Sequence, residues 1–448
     1  MDPIGEWHAL LRPDEELTPR FTTAFAESMR AKRLTFGQRV HCPFLRPFFL
    51  STQDEARIRT AAETIAAIGE RVIRAALESD DLYEQLGVTE QEDALIDIDP
   101  GYQTASTASR LDAFLLPDAL HFAEYNAESP AAIGYTQRLC ELFDSTVMMG
   151  RFRERRQVRH YKVIEALLGA LIASYREWGG TAEPPTIAIV DWRDVPTWTE
   201  FELLRDAFQA AGVPTVVCDP RELLFGGGSL SAEGTRIDLV YRRVLVNDIV
   251  ARPAECQALV DACAARAVCM ANTFRCKLAH KKAFFAVLTD PANASLFSRN
   301  ELEMIHAHVP WTRVLDDAEA QKGDWRGDLL ELVHLSRERL VLKPNDEYGG
   351  KGVILGWEAT DGEWSEKVES ALADPYGTWV VQERIPVRRE TFPQFDASGR
   401  VSMNDMLVDF APYLFRGQVG GYLTRLSASG LANVTSGGGQ VPAFVIGD

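Results

Sequence analysis

The chain contains no CxxC pair, although it carries seven cysteines: Cys42, Cys140, Cys218, Cys256, Cys263, Cys269 and Cys276. Four of them fall between 256 and 276, as two pairs spaced seven apart. That spacing matches no common zinc pattern, and the count is odd. The cysteines are read as apolar thiols on packed helices, and reduced thiols imply a cytoplasmic setting. Basic charge is also scarce. There are 47 Lys and Arg against 65 Asp and Glu, a formal net charge of −18. Such a field repels phosphodiester backbones and anionic lipid, so the expected partners include no nucleic acid and no membrane. Long hydrophobic runs are missing. The longest, VIEALLGALIAS (163–174), is too short to span a bilayer and includes Glu165. The opening MDPIGEWHALLRPDEELTPR has neither a basic n-region nor an apolar h-region, so it is not read as a signal peptide. Internal repeats and low-complexity tracts are absent, and nothing in the sequence reports oligomeric state.

What is present is ordinary globular material. The 448 residues are 46% hydrophobic, enough for two or three domains with their own cores. Residues 52–78 are predicted as a helix. Thr52 and Glu55 form a capping-box signature, and Ile58, Ile65, Ile68, Val72 and Ile73 recur at helical spacing. A strand is expected over 119–128, then a helix over 135–149. The basic run RFRERRQVRHYK (151–162) is predicted to open a helix reaching about 178, as a solvated face. From 186 the pattern alternates: strands TIAIVD (186–191), PTVVCD (214–219) and IDLVYRR (237–243), with helices at 198–211 and from 253. Alternation of this kind predicts a parallel sheet. GGGS (226–229) reads as a loop tip. Helices at 277–289 and 300–307 precede strands at 339–343, 352–357 and 378–384, and a β-rich stretch covers 403–426. The expected divisions are 1–150, 151–275 and 276–448.

One segment, VLKPNDEYGGKGVILG (341–356), poses a chemical question. Lys343 leaves the end of an apolar strand, and Pro344 restricts the chain after it. Gly349, Gly350 and Gly352 let backbone amides approach a ligand closely, with Lys351 as a movable charge among them. The segment is neither GxxxxGK[ST] nor GxGxxG. A hairpin turn and a phosphate grip both fit it. TWVVQERIP (378–386) supplies an apolar strand ending in Gln382 and Glu383, with the Ile385 peptide beyond. Asp409 in MLVDFAPYLF and Asn433 in LANVTSGGGQ offer oxygens of the kind Mg²⁺ takes. Arg425 in YLTRLS is a planar donor fork suited to a phosphoryl oxygen.

In this order, Lys-Pro, GGKGV, VVQERI, then Asp, Arg and Asn-x-x-x-GGG, the chain resembles the ATP-grasp fold. HFAEYNAESPAAIGYTQ (121–137) and HVPWTRVL (308–315) bring it nearer to the circularly permuted, glutathionylspermidine-synthase-like branch. The likeness covers about 90–440. It implies an α/β (α+β) fold, a circularly permuted ATP-grasp unit with an additional Rossmann-like parallel α/β domain. It also implies ATP and Mg²⁺ as cofactors. Lys282, Lys343, Lys351 and the glycines Gly349, Gly350 and Gly352 would contact the nucleotide. Gln382, Glu383 and Ile385 would sit at the adenine and ribose hinge, Asp409 and Asn433 would hold Mg²⁺, and Arg425 would stabilise the transferred phosphoryl group with Lys343. The sequence departs from the family pattern at Leu431, where a metal glutamate is usual.

In HFAEYNAES, strand periodicity sends Phe122, Glu124, Asn126 and Glu128 to one face. Carboxylates there need a cation, a metal or donors. Arg110 and Asp112, in SRLDAF, are candidate partners, and together these residues form the expected substrate side. The implied activity is an ATP-dependent carboxylate–amine ligase working through an acyl phosphate on small-molecule or peptide substrates. A nucleotide-binding protein with little turnover, and a kinase on the same fold, are the alternatives.

Overall fold

A computed structural model describes residues 2–37, 39–347, 349–374, 377–428 and 438–447. The predicted helix over 52–78 forms as Thr52–Ala76. Its cap lies one residue earlier than expected: the Ser51 hydroxyl accepts from the Asp54 amide. Ile58, Ile65, Ile68, Val72 and Ile73 are buried along one stripe. That stripe packs on the main sheet, whose strands run Gly439–Val441, Gln418–Ser427, Val401–Phe415, Ala108–Leu115, Leu120–Asn126. Arg388–Phe395 pairs with the other end of Val401–Phe415. The sheet thus joins strands from the first third of the chain to strands near residue 400. Gly69 lets the helix approach: a Cβ there would lie 3.0 Å from the Tyr125 ring.

The alternating region builds a four-stranded parallel sheet in the order Cys269–Ala271, Leu239–Arg242, Ile187–Val190, Thr215–Cys218. GGGS is a hairpin tip, with Gly227 and Gly228 at positive φ between Leu223–Gly226 and Ser229–Ala232. A further antiparallel sheet runs Thr312–Val314, Trp379–Glu383, Leu340–Pro344, Ile354–Leu355.

Three local expectations are corrected. The basic run does not open a helix. It finishes Val147–Arg153, passes through the short strand Val158–Arg159, and the next helix starts at Val163. Its arginines meet acids from elsewhere: Arg151 pairs with Glu15 and Glu16, Arg153 with Asp144, Arg156 with Glu6 and Arg159 with Glu55. The helix predicted over 277–289 is broken into Lys277–His280 and Ala283–Thr289, with Lys281 and Lys282 at the break. The seven cysteines are all buried free thiols, but Cys218 and Cys269 lie on strands rather than helices. Among the described residues no helix is long and apolar enough to cross a membrane.

Strand periodicity also fails at one decisive place. Asp112 pairs with Glu124, but the adjacent Ala113 pairs with Phe122, so Ala123 is an extra residue in the ladder. A bulge shifts the alternation by one. Phe122 and Tyr125 therefore face the buried core, while Glu124 and Asn126 stay partly exposed on the other side.

Two glycines in the Leu340–Leu372 region contrast sharply. A Cβ on Gly356 would stand 2.0 Å from the Arg337 carbonyl oxygen and 2.7 Å from that of Leu340, whereas one on Gly362 meets nothing within 4 Å. Gly356→Ala is expected to cost about 1–3 kcal/mol through overpacking. Gly362→Ala, in the helix Asp361–Leu372, is expected to be neutral or to stabilise by up to ~1 kcal/mol. Urea unfolding of the two variants measures the difference.

Candidate functional site

Lys343 lies next to the end of the strand Leu340–Pro344, partly buried. It donates to Gln382 Oε1 at 2.6 Å and to the Ala123 carbonyl at 3.2 Å. The bulge that displaces Phe122 thus also presents the carbonyl that receives Lys343. Gln382 is fixed in turn, its Nε2 donating to Thr312 Oγ1 at 3.0 Å. Burial pulls the Lys343 ammonium down to about 8, with Glu124 opposing and Lys282 reinforcing the shift. Lys282 stands at the helix break, donates to the Glu347 carbonyl, and lies 3.7 Å from Glu124. Asn126 donates to Glu124 at 3.1 Å. Lys282, Lys343, Glu124, Asn126 and Gln382 therefore gather around one point.

The second group lies on the main sheet. Asp409 and Arg425 are cross-strand partners. Arg425 Nη2 donates to both Asp409 and Asp112, the latter at 2.6 Å, and Arg110 grips Asp112 through Nε at 2.6 Å and Nη2 at 3.1 Å. Two guanidinium groups hold Asp112 ionised, well below the usual carboxylate range despite its burial. Burial pushes Asp409 the other way, up to about 7, with Arg425 opposing and Asp112 reinforcing. Two buried atoms here have no hydrogen-bond partner among the described residues: Asp409 Oδ1 and Arg425 Nε. The two groups are neighbours. Asp112 acts on Lys343, and Glu124 acts on Arg425.

Other expected residues sit apart from this centre. Glu383 points away from Gln382 along the strand and pairs with Lys322. Ile385 follows the strand, partly buried. Gly349, Gly350 and Gly352 all take positive φ, and Lys351 is 74% exposed, paired with Glu347 at 2.8 Å. Glu128 lies beyond the strand and does not share the face of Glu124. It is fully buried on Arg242 at 2.8 Å and accepts from the Val246 amide at 2.5 Å. Lys277 and Arg242 overcome its burial and draw its carboxyl down to about 2. Asn433 and Leu431 lie outside the described residues.

Sequence reasoning missed the anchor of the glycine loop. Asp346 accepts from Lys277 at 2.7 Å and from Lys281 at 2.8 Å, and Lys281 also binds both oxygens of Glu92 at 2.8 Å. Asn345 adds backbone anchorage: its Oδ1 accepts from the Ala283 amide at 2.8 Å and its Nδ2 donates to the Leu86 carbonyl at 2.8 Å. Two carboxylates inside NDEYGGKG were the available signal. Arg243 was also missed. It is buried, donates to the Pro130 carbonyl at 2.6 Å, and keeps a buried Nε without a partner among the described residues. Its signal was a pair of arginines at the carboxyl end of a parallel strand, where ligands of α/β sheets bind.

Among the described residues no group of three or more His, Cys, Asp or Glu gathers as a metal site. The donors present nonetheless suit Mg²⁺ in small number. Asp409 Oδ1 is a buried carboxylate oxygen without a partner among the described residues, and the Glu124–Asn126 pair supplies a carboxylate and an amide beside two lysines.

No protein-family model matches the chain. It is 24% identical over 300 residues to "Putative glutamate--cysteine ligase 2-2" of Frankia casuarinae, covering 63% of this chain and 32% of that protein. It is 26% identical over 225 residues to the similarly named 2-3 protein of Frankia alni, covering 47% and 23%. The chain thus spans about a third or less of the length of these curated relatives. Its structure superposes on that of a glutathione synthetase like-effector from Globodera pallida in apoform. The TM-score is 0.64 at 13% identity, over 97% of this chain and 98% of the other. The mixed α/β architecture is therefore similar to that of a glutathione-synthetase-like protein.

Asp346→Ala would leave Lys277 and Lys281 buried with one partner fewer, and is expected to cost about 3–5 kcal/mol. Lys351→Ala breaks an exposed pair with Glu347 and is expected to stay within about 0.5 kcal/mol. Urea denaturation at neutral pH compares them.

Proposed function

We propose that the chain is an ATP-dependent carboxylate–amine ligase of the ATP-grasp type. One observation carries the reading: Lys282 and Lys343 converge beside Glu124, next to an arginine, Arg425, whose two acid partners leave its buried Nε open. A triphosphate needs concentrated positive charge, and each lysine about 4 Å from a phosphate is worth roughly 4 kcal/mol at an effective dielectric near 20. The names of the Frankia relatives add support, because a glutamate–cysteine ligase joins a carboxylate to an amine. Circular permutation is part of the reading, supported by the pairing of Ala108–Leu115 with Val401–Phe415 in one sheet. The parallel sheet over 187–271 is the Rossmann-like part.

In this reading a substrate carboxylate oxygen attacks the γ-phosphorus. The bond to the bridging oxygen breaks, and ADP leaves with that electron pair. The amine then attacks the acyl carbon, phosphate departs and the amine gives up a proton. Lys343, fixed between Gln382 and Ala123, and Lys282 hold the phosphates. Arg425 Nε donates to the oxygen on which charge develops, and Asp112 and Asp409 keep its plane in place. Arg243 Nε is the counterpart on the substrate side, suited to a carboxylate. Mg²⁺ would be held by Asp409 Oδ1 and by Glu124 with Asn126, where it would neutralise phosphate charge. The loop from Asn345 to Gly352, rooted by Asp346, would close over the phosphates and exclude water from the acyl phosphate.

ADP release from Mg-ATP is expected to require both a carboxylate and an amine substrate, in a screen of amino acids, peptides and polyamines. Release with a single hydroxyl compound would replace this reading by a kinase. Failure of millimolar Mg-ATP to raise the melting temperature would end it.

Lys343 gives a pH signature. In the free protein its ammonium titrates near 8, and bound phosphate must raise that value. Binding above pH 8 therefore takes up a proton, and nucleotide affinity is expected to fall about tenfold per pH unit there. Lys343→Arg, charged throughout, is expected to flatten that limb, while Lys343→Ala lowers affinity at all pH values. Calorimetric titration from pH 7 to 10 reads all three curves.

A further inference from the structure

A cavity of about 310 Å³ lies apart from the lysine and arginine groups described above. Its wall includes Arg74, Arg266 and Arg275, with Asp99 as the single acid. In a chain whose acids outnumber its bases by 65 to 47, a lining with two surplus positive charges is unusual. Asp99 is already committed: one oxygen accepts from the Gly101 amide at 2.8 Å and the other from Arg266. Arg74 and Arg275 close no direct ion pair among the described residues, although Arg74 acts on Glu70 and Arg275 on Asp99 through space. Arg275 is oriented by a bond from Nε to the Ile96 carbonyl at 3.2 Å. Glu70, behind the wall, accepts instead from the Ala105 and Ser106 amides at 3.0 and 2.9 Å.

The cavity is built without help from any occupant. The buried Tyr102 ring is fixed by its hydroxyl, which donates to the Met270 carbonyl at 2.8 Å. The Gln103 amide donates to Glu177 at 2.8 Å. These bonds hold the 99–105 turn against the end of the long helix, so Arg74 and Arg275 project from separate rigid segments.

We propose that this cavity is an anion site for a small dianion of the phosphate or dicarboxylate type. Guanidinium forks match both kinds of oxygen pair, and two unpaired arginines balance two negative charges. The volume is at the low end of the ~300–1,000 Å³ usual for ligand pockets, which favours a small ligand. The proposal does not depend on the ligase reading.

Calorimetric titration with inorganic phosphate and with succinate tests it, in a Lys343→Ala background that weakens phosphate binding at the lysine group. Saturable binding of either anion is expected, weakened about tenfold by Arg275→Gln or by Arg74→Gln. Phosphate binding alone would assign the site to phosphate, and succinate binding alone to a dicarboxylate. Arg74 lies at the exposed end of a helix, so its variant keeps the test valid where Arg275→Gln fails to fold. Three results would overturn the proposal: no saturable heat with either anion, an equal response to chloride at matched ionic strength, or unchanged affinity in both arginine variants.

Discussion

A partly buried aspartate clasped by two buried lysines holds this molecule in register. Asp346 meets Lys277 and Lys281, and the network continues through Glu92, Glu128 and Arg242. Three cations face three carboxylates, while burial keeps His280 neutral by drawing it down to about 4. Such a network adds little stability over a well-packed apolar core, but separating its parts strands a buried charge. Its members come from the helix Glu90–Ile96, the end of a main-sheet strand, the parallel sheet, the segment 277–281 and the glycine loop. The lysine strand and the acid strand therefore share one frame, because moving either against the other breaks the balance.

Much of the regular structure was legible because its signal is local. The isoleucines of the long helix and the apolar runs at 187–190, 215–218 and 239–242 carry their periods within a few residues. What was not legible depends on partners. The helix break at Lys281–Lys282 is imposed by acids 65 residues or more away, because each lysine must reach a different carboxylate or carbonyl. The arginines of 151–159 looked like one charged face, yet Arg151, Arg153, Arg156 and Arg159 are matched to acids at the start of the chain or on neighbouring helices. Within the site, Lys282, Lys343 and Glu124 come together, although the sequence placed Glu124 with Arg110 and Asp112 rather than with the lysines. Glu128 does not, because its place in the alternation says nothing about where the strand stops.

The acidity of the chain and the cationic character of its centre are compatible because they act over different ranges. Surface charges are screened within about 8–10 Å at physiological salt. Arg110 is buried and Lys343 and Arg425 are partly buried, where screening is weaker and a fixed partner decides the local field. Asp112 serves as that partner for both arginines. It holds them charged and fixed without itself being available to a ligand, whereas Asp409 retains an open oxygen.

The extra residue at Ala123 ties the seat of Lys343 to chain length in a way that no side-chain substitution would reveal. Everything N-terminal to it in that strand follows one parity and everything C-terminal the other. Deleting Ala123 would bring Phe122 next to Glu124, opposite Ala113 and Asp112, and restore a regular ladder with every remaining side chain on its present face. Tyr125 would stay in the core and Glu124 and Asn126 outside it, but the carbonyl that meets Lys343 would be gone. In this seven-residue strand the spare residue is thus a spacer that the sheet itself could lose and the lysine could not.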